Sequence, residues 1–378
     1  MKTYKIGIIG YGGFGQFLHH WWSRQEGVEV RAISDRTFAG EESDGVAHYE
    51  SWKDLIANSE IEIVSIATVP AFHVEMACEA MRAGKHVLLE KPIALDIQGA
   101  ETVLQVQRET GKILMVDHML RYNPIIKALV ALSADKALGV LRHAEISNYA
   151  QDESLPADHW FWEKELSGGI FIEHGVHFFD IINALTDQKF SKVYGCSHKR
   201  NAGQEDQVSA TVLYEDGLIA SHYHSFSGPG FFERTTIRLI YDLAKVEIEG
   251  WIPMKGRIEV LVDENTKSKL HTVPGFMTEK EIPISDLVDV SRPEGWGSYS
   301  AEKRRGINIG GIEYDIDEMV SGSFEIQQTK SEVYGTCLQG ILADLITKIE
   351  NPHHKTAVSA EDAYESLKIA VLADKNVC

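Results

Sequence analysis

Residues 4–22, YKIGIIGYGGFGQFLHHWW, decide the fold. The first six (YKIGII) form a compact apolar run of strand length, and Phe14, Phe17, Leu18, Trp21 and Trp22 then recur at helical spacing. Between them Gly10, Gly12 and Gly15 spell GxGxxG, with Gly13 and Phe14 at the variable positions. That pattern between a strand and a helix is the context in which it signals dinucleotide binding. The first glycine permits a tight turn and the second lets a pyrophosphate approach the backbone. The third packs helix on strand, and the helix start faces the anion. The same alternation continues outward. VEVRAIS (28–34) precedes DLIA, and EIVSIAT (62–68) precedes a helical pattern with Val74, Ala77, Cys78 and Met81. KHVLLE (85–90) follows, then a helix from about 97 and KILMVD (112–117). Strands separated by helices predict a parallel, doubly wound α/β sheet.

Beyond residue 125 the rhythm changes. HAEISNYA, VSATVLY, GLIASHYH, TTIRLIY, KVEIEGW and RIEVLV succeed one another with few helical patterns between them, which predicts a large, mostly antiparallel sheet. The expected division is a Rossmann domain over 1–123 and a substrate-binding and oligomerisation α/β domain over 124–378. The glycine-rich stretch 291–325 reads as loop or lid. A final helix at about 359–374, capped by Ser359 and Asp362, is expected to pack back on the first domain.

Composition limits the function. A chain of 378 residues with 44% hydrophobic and 25% charged residues is that of a folded globular protein. With 37 basic against 56 acidic residues the net charge is -19, which disfavours nucleic acid and anionic membranes as partners. No apolar run approaches a membrane span, and the N-terminus runs into glycines instead of a cleavage site, so a cytoplasmic location is expected. Cys78, Cys196, Cys337 and Cys378 form no CxxC pair, as reduced thiols would not.

Asp35 lies 20 residues after Gly15 at the end of the next strand. A carboxylate there accepts hydrogen bonds from an adenosine ribose and repels a 2′-phosphate, which favours NAD over NADP. Its neighbour Arg36 argues the other way, since it can stack on adenine or meet a phosphate. Glu90-Lys91-Pro92 closes a predicted strand on the ligand-binding edge.

Together with the glycine loop, AGKHVLLEKP (83–92) resembles the glucose-fructose oxidoreductase and inositol dehydrogenase (Gfo/Idh/MocA) family. The likeness is close to about residue 125 and extends loosely to SGGIFIEHGVHFFD (167–180) and the closing helix. It implies nicotinamide-dependent oxidation or reduction of a sugar, inositol or related polyol, and Asp35 makes NAD the expected cofactor. It also implies a cis Lys91–Pro92 bond, and cofactor contacts from Thr68, His73, Glu90 and Lys91. His177 aligns with the family's proton-transfer histidine. Glu173 stands where the family usually carries aspartate, and Ile170 replaces the third glycine of a common GGG.

Sugar oxidation needs a proton acceptor and a cation beside the developing alkoxide. Lys91 suits the second task and can share the first; a near-neutral His177 suits the first. Glu173, four residues before His177, would share its helix face. His174 either approaches the substrate or packs beneath the sheet. Trp160 or Trp162 can line a sugar pocket, and Arg121, Tyr122 and Asn123 lie where the domains should meet. Glu173, His174, His177 and Asp180 also permit a metal reading, but the expectation is that activity needs no metal. A homodimer or homotetramer is expected. Two alternatives stand beside the dehydrogenase: an NAD-dependent redox-assisted glycosidase or lyase, and a non-catalytic ligand-sensing regulator.

Overall fold

A computed structural model of the chain describes residues 2–37, 45–286 and 306–377. The first unit comprises β1 (Tyr4–Ile9), α1 (Gly13–Trp22), β2 (Val28–Ser34), β3 (Ala47–Tyr49), α2 (Trp52–Ala57), β4 (Ile63–Ile66), α3 (His73–Arg82), β5 (His86–Leu89), α4 (Ile97–Thr110) and β6 (Leu114–Val116). Its six strands are parallel in the order β3-β2-β1-β4-β5-β6. Helices cover both faces, so Ile6, Ile8, Ile63, Val64 and Ile66 are fully buried. The order of strand addition reverses between β1 and β4, and ligands of such sheets bind at that crevice. Gly10, just past β1, adopts φ +88°; a side chain there would lie 2.5 Å from the Ala67 carbonyl beyond β4. The glycine is what lets the two strand ends meet.

The second unit begins with α5 (Pro124–Ala134), β7 (Leu141–Gln151), α6 (Lys164–Ser167) and α7 (Val176–Ala184). Then come β8 (Phe190–Asn201), β9 (Gln204–Tyr214), β10 (Ile219–Gly228), β11 (Arg234–Tyr241), β12 (Ala244–Glu249), β13 (Lys255–Val262), α8 (Glu264–Leu270), β14 (Met277–Pro283), β15 (Gly306–Ile309), β16 (Ile312–Asp315) and β17 (Glu318–Glu325). Nine strands form one sheet in the order β14-β17-β13-β12-β11-β7-β10-β9-β8. Only β7 and β10 pair in parallel within it. Its inner face carries α7 and the cleft; its outer face leaves Tyr149, Tyr194 and Ile219 exposed.

Two features depart from the expectation. Residues 306–325 are strands, not loop: β15 and β16 form a hairpin and β17 is a paired strand of the large sheet, while 291–305 lies outside the described residues. The sequence reading also passed over α9 (Lys330–Glu350), a 21-residue helix opened by a capping box of Thr329 and Glu332. This helix lies on α1: Trp22 Nε1 donates to the Leu338 carbonyl and Gln339 Nε2 to that of Trp21. The C-terminal region therefore contributes to the first unit well before the last helix, α10 (Ala360–Lys375). α10 packs on α7 and β8 and also reaches α4, where Tyr364 donates to Glu101.

The seat of α10 depends on Gly195 of β8, where an added Cβ would lie 2.0 Å from the Ala373 carbonyl oxygen. Gly195→Ala should destabilise the protein by about 1–3 kcal/mol, the usual cost of forcing atoms into a packed contact. Urea unfolding measures it. A cost within 0.5 kcal/mol, about that of a surface change, would show that the helix does not rely on this approach.

Candidate functional site

The carboxyl ends of β1, β4 and β5, the end of β7 and the turn before α7 open on one cavity of about 570 Å³. Gly12, Gly13, Phe14, Thr68, Glu90 and Lys91 line it from the first unit, and Trp160, Glu173, His174, His177 and Trp251 from the second. Tyr334 enters from α9, tilted against Phe14 and Phe17 and edge-on to Trp251.

The glycine loop fits a pyrophosphate. Added side chains at Gly12 and Gly13 would meet nothing within 4 Å, so the space beside the start of α1 is open. Gly12 caps that helix without a side-chain hydrogen bond, leaving the backbone as the donor surface. Gly15 is closed from the other side: its Cβ would lie 2.0 Å from the Gly10 carbonyl. Asp35 accepts from the Tyr11 amide at 2.8 Å and from the Thr37 amide at 2.7 Å, which fixes the carboxylate beside the loop. Arg36 is exposed and does not line the cavity.

Lys91 and Glu173 come from different units and meet. Lys91 Nζ lies 2.6 Å from Glu173 Oε1 and 2.9 Å from the Glu173 carbonyl. Both side chains are 14% exposed. Burial pulls the Lys91 pKa down, but Glu173 and then Glu90 outweigh it and hold the ammonium charged above its ordinary range. Lys91 therefore holds a proton firmly, contrary to a share in accepting one. The Lys91–Pro92 bond is cis. Behind it, burial and then the neighbouring Asp117, to which it is hydrogen-bonded, raise the Glu90 carboxyl well above the carboxylate range.

Residues 171–175 form a single π-turn before α7. From this turn Glu173 reaches Lys91, and it lines the same cavity as His177. His177 is buried, and its Nδ1 has no hydrogen-bond partner. Burial first, then the charge of Lys91, push its pKa well below the ordinary value, so the near-neutral titration expected for it gives way to a ring that is a neutral base. His174 also lines the cavity, and its Nε2 lies 3.0 Å from Asn148 Oδ1. Burial lowers it to about 3.

Several predicted residues stand elsewhere. His73 is fully buried behind the loop, with Nδ1 at 2.7 Å from the Pro92 carbonyl and Nε2 at 3.0 Å from that of Thr68. Two carbonyls would favour a doubly protonated ring, but burial wins and lowers it to about 4. It braces the loop and does not line the cavity. Arg121 makes a bidentate pair with Asp180 at 2.7 and 2.8 Å. Tyr122 donates to Asp344 at 2.6 Å, and Asn123 caps α5 while bonding the Pro253 carbonyl. These three join the units outside the cavity. Trp162 faces Arg200, and Phe161 reaches the cavity in its stead. Sequence reasoning missed Asn148, Glu233, Trp251 and Tyr334, which carry no local motif. Among the described residues, no group of three or more histidine, cysteine or acidic side chains is placed to hold a metal.

Residues 4–118 match the model of the GFO/IDH/MocA oxidoreductase family, NAD-binding Rossmann fold, and residues 126–242 match the GFO/IDH/MocA C-terminal domain. Among curated relatives, 1,5-anhydro-D-fructose reductase of Ensifer adhaerens is 27% identical over 183 residues, 47% of this chain and 54% of that one. The 2,7-anhydro-N-acetylneuraminate hydratase of Mediterraneibacter gnavus is 30% identical over 190 residues, 49% of this chain and 50% of that one. Matches of this kind span about half the length of such relatives. A crystal structure of scyllo-inositol dehydrogenase from Lactobacillus casei, with bound cofactor NAD(H) and scyllo-inositol, superposes with a TM-score of 0.70 at 19% identity, covering 100% of this chain and 97% of that one.

The buried histidines set an acid limit. His73, His86, His118, His174, His177, His222 and His224 are all depressed in the folded protein, chiefly by burial. The unfolded chain takes up these protons near pH 6.5 and the folded chain does not, so stability falls as pH drops below 6.5. The raised Glu90 and Asp117 act in the opposite sense, two groups against seven. Melting temperature should fall steeply between pH 7 and pH 5. A flat profile would show that these rings are hydrated.

Proposed function

The chain belongs to the GFO/IDH/MocA oxidoreductase family, and we propose that it is an NAD(H)-dependent oxidoreductase acting on a secondary alcohol of a sugar, inositol or related polyol. The observation that carries this reading is the meeting of Lys91, Glu173 and His177 at the same cavity that the glycine loop opens on. When bound, the cofactor supplies the hydride acceptor or donor. The residues around it have separable tasks. The Lys91 ammonium, kept charged by Glu173, stabilises the oxygen as it gains negative charge. His177, kept neutral by burial, takes the hydroxyl proton. Glu173 acts through Lys91, fixing its ammonium with a carboxylate and a backbone carbonyl. Trp160 and Trp251 offer flat apolar surfaces to a sugar ring. The exposed outer sheet face, with Tyr149 and Tyr194, supports a homodimer or homotetramer.

A second reading has a specific observation behind it. A glycosyl hydrolase family 109 protein of Shewanella is 28% identical over 205 residues, 47% of this chain. In that reading the same residues serve a transient oxidation that permits elimination. Release of reducing sugar without net NADH would select it.

Three measurements test the leading reading. His177→Ala should lower turnover by roughly 10²-fold or more, the usual loss of general acid–base help, while leaving NAD affinity within error. Full turnover in that variant would remove His177 from proton transfer. Because the folded His177 is depressed, the acid limb of the oxidation profile should lie well below pH 6.5; a limb centred at or above 6.5 contradicts a buried neutral base. Finally, the native protein should bind NAD more tightly than NADP, and Asp35→Ser should narrow the difference. Tighter NADP binding by the native chain would give the site to Arg36 instead.

A further inference from the structure

The charges of the cavity restrict its ligand more narrowly than the family does. Lys91 is the only cationic side chain among the described residues that line it, and its charge is taken up by Glu173 at 2.6 Å. Glu233 adds an acidic group to the wall. Two cations beside lining residues are engaged: Lys330, over the Trp251 ring, lies 3.9 Å from Glu233, and Arg200 pairs with Asp152. The described residues flanking 287–305 lie at the other end of the large sheet. There the β15–β16 hairpin docks through Tyr314 on Asp242, which holds Arg142. Arg142 is six residues from Asn148 along β7, about 20 Å in an extended strand. Among the described residues, an anion in the cavity would find only Lys91 to receive it, and that ammonium is already paired with Glu173.

The polar wall opposite Lys91 accepts hydrogen bonds. Asn148 Nδ2 donates to Thr235 Oγ1 at 2.7 Å, which turns its Oδ1 to His174 Nε2 at 3.0 Å. Asn148 and Thr235 are each 2% exposed, so their hydrogen bond is shielded from water, and the half-buried His174 ends the chain at the cavity. It puts the His174 proton on Nε2 and leaves Nδ1 as a pure acceptor. The ring is held edge-on against Phe226, with centroids 5.0 Å apart. Such a wall meets a hydroxyl donor and repels a carboxylate.

Resting on the oxidoreductase reading above, we infer that the cavity takes an uncharged polyhydroxylated ring that donates a hydroxyl hydrogen bond to His174, and that it rejects carboxylated and phosphorylated sugars. The test uses matched pairs: D-glucose with D-glucuronate, D-galactose with D-galacturonate, and myo-inositol with myo-inositol 1-phosphate. Binding to the full chain is followed by tryptophan fluorescence, with NAD and separately with NADH, so that the charge of an oxidised nicotinamide is told apart from that of the protein. In the pair that binds, the neutral member should be tighter by ten-fold or more, the order expected for an uncompensated like charge several ångströms away. Glu233→Gln should narrow that ratio, and His174→Phe should weaken the neutral member by roughly ten-fold, the loss of a buried hydrogen bond. An anionic member that binds as tightly as its neutral partner overturns the inference and leaves the oxidoreductase reading standing. NAD binding with no response to any of the six compounds overturns both.

Discussion

A salt bridge between Lys91, at the end of a Rossmann strand, and Glu173, in the turn before α7, ties the chemistry to the architecture. Each ion is largely withdrawn from water, and removing either would leave the other buried without a counter-charge, a loss of several kcal/mol. The pair is therefore satisfied only when the two units close on each other. The Glu173 carbonyl as well as its carboxylate meets Lys91, so the backbone of the π-turn must also be in place. Arg121 and Asp180 form a second bridge of the same kind, with Asp362 and Ser366 of the last helix drawn in. One bridge lines the cavity and the other locks the joint behind it.

This division explains why three residues at the domain junction are not in the site. Arg121, Tyr122 and Asn123 each end on a buried polar partner, as groups at a dry junction must. Their chemistry is consumed by cohesion. The same distinction separates His73 from Thr68: the histidine, at the start of α3, supports the backbone from behind, and the threonine, in the loop after β4, faces the cavity.

The first unit was legible because its signals are local. Gly10, Gly12 and Gly15 each answer a different steric demand within six residues, and Lys91 follows directly from its place at a strand end. What was not legible depends on distant packing. α9 did carry local signals, a Thr329–Glu332 capping box and Val333, Cys337, Leu338, Ile341, Leu342 and Leu345 at helical spacing, but its seat on α1, with Gly335 beneath the Trp21 ring, is set by distant packing. Tyr334 and Trp251 reach the cavity from positions with no motif, and the partner of Glu173, Lys91, lies 82 residues away in the sequence.

Burial also gives the site its protonation states without any nearby titration at neutral pH. His222 and His224 lie within the sheet with no partner for any ring nitrogen, packed against Phe179 and Phe178. Unpaired buried nitrogens cost stability, on the order of 1 kcal/mol or more each. Their position beside His174 gives that cost a local consequence: a charged ring next to them would have to be accommodated in a dry layer, so His174 is held neutral along with them. Lys91 and His177 then form a cation beside a neutral base in one cavity. If His177 were charged, two adjacent cations would repel; if Lys91 were neutral, the developing alkoxide would lose its partner. The same dry packing that lowers stability in acid thus keeps proton acceptance and charge stabilisation on separate side chains.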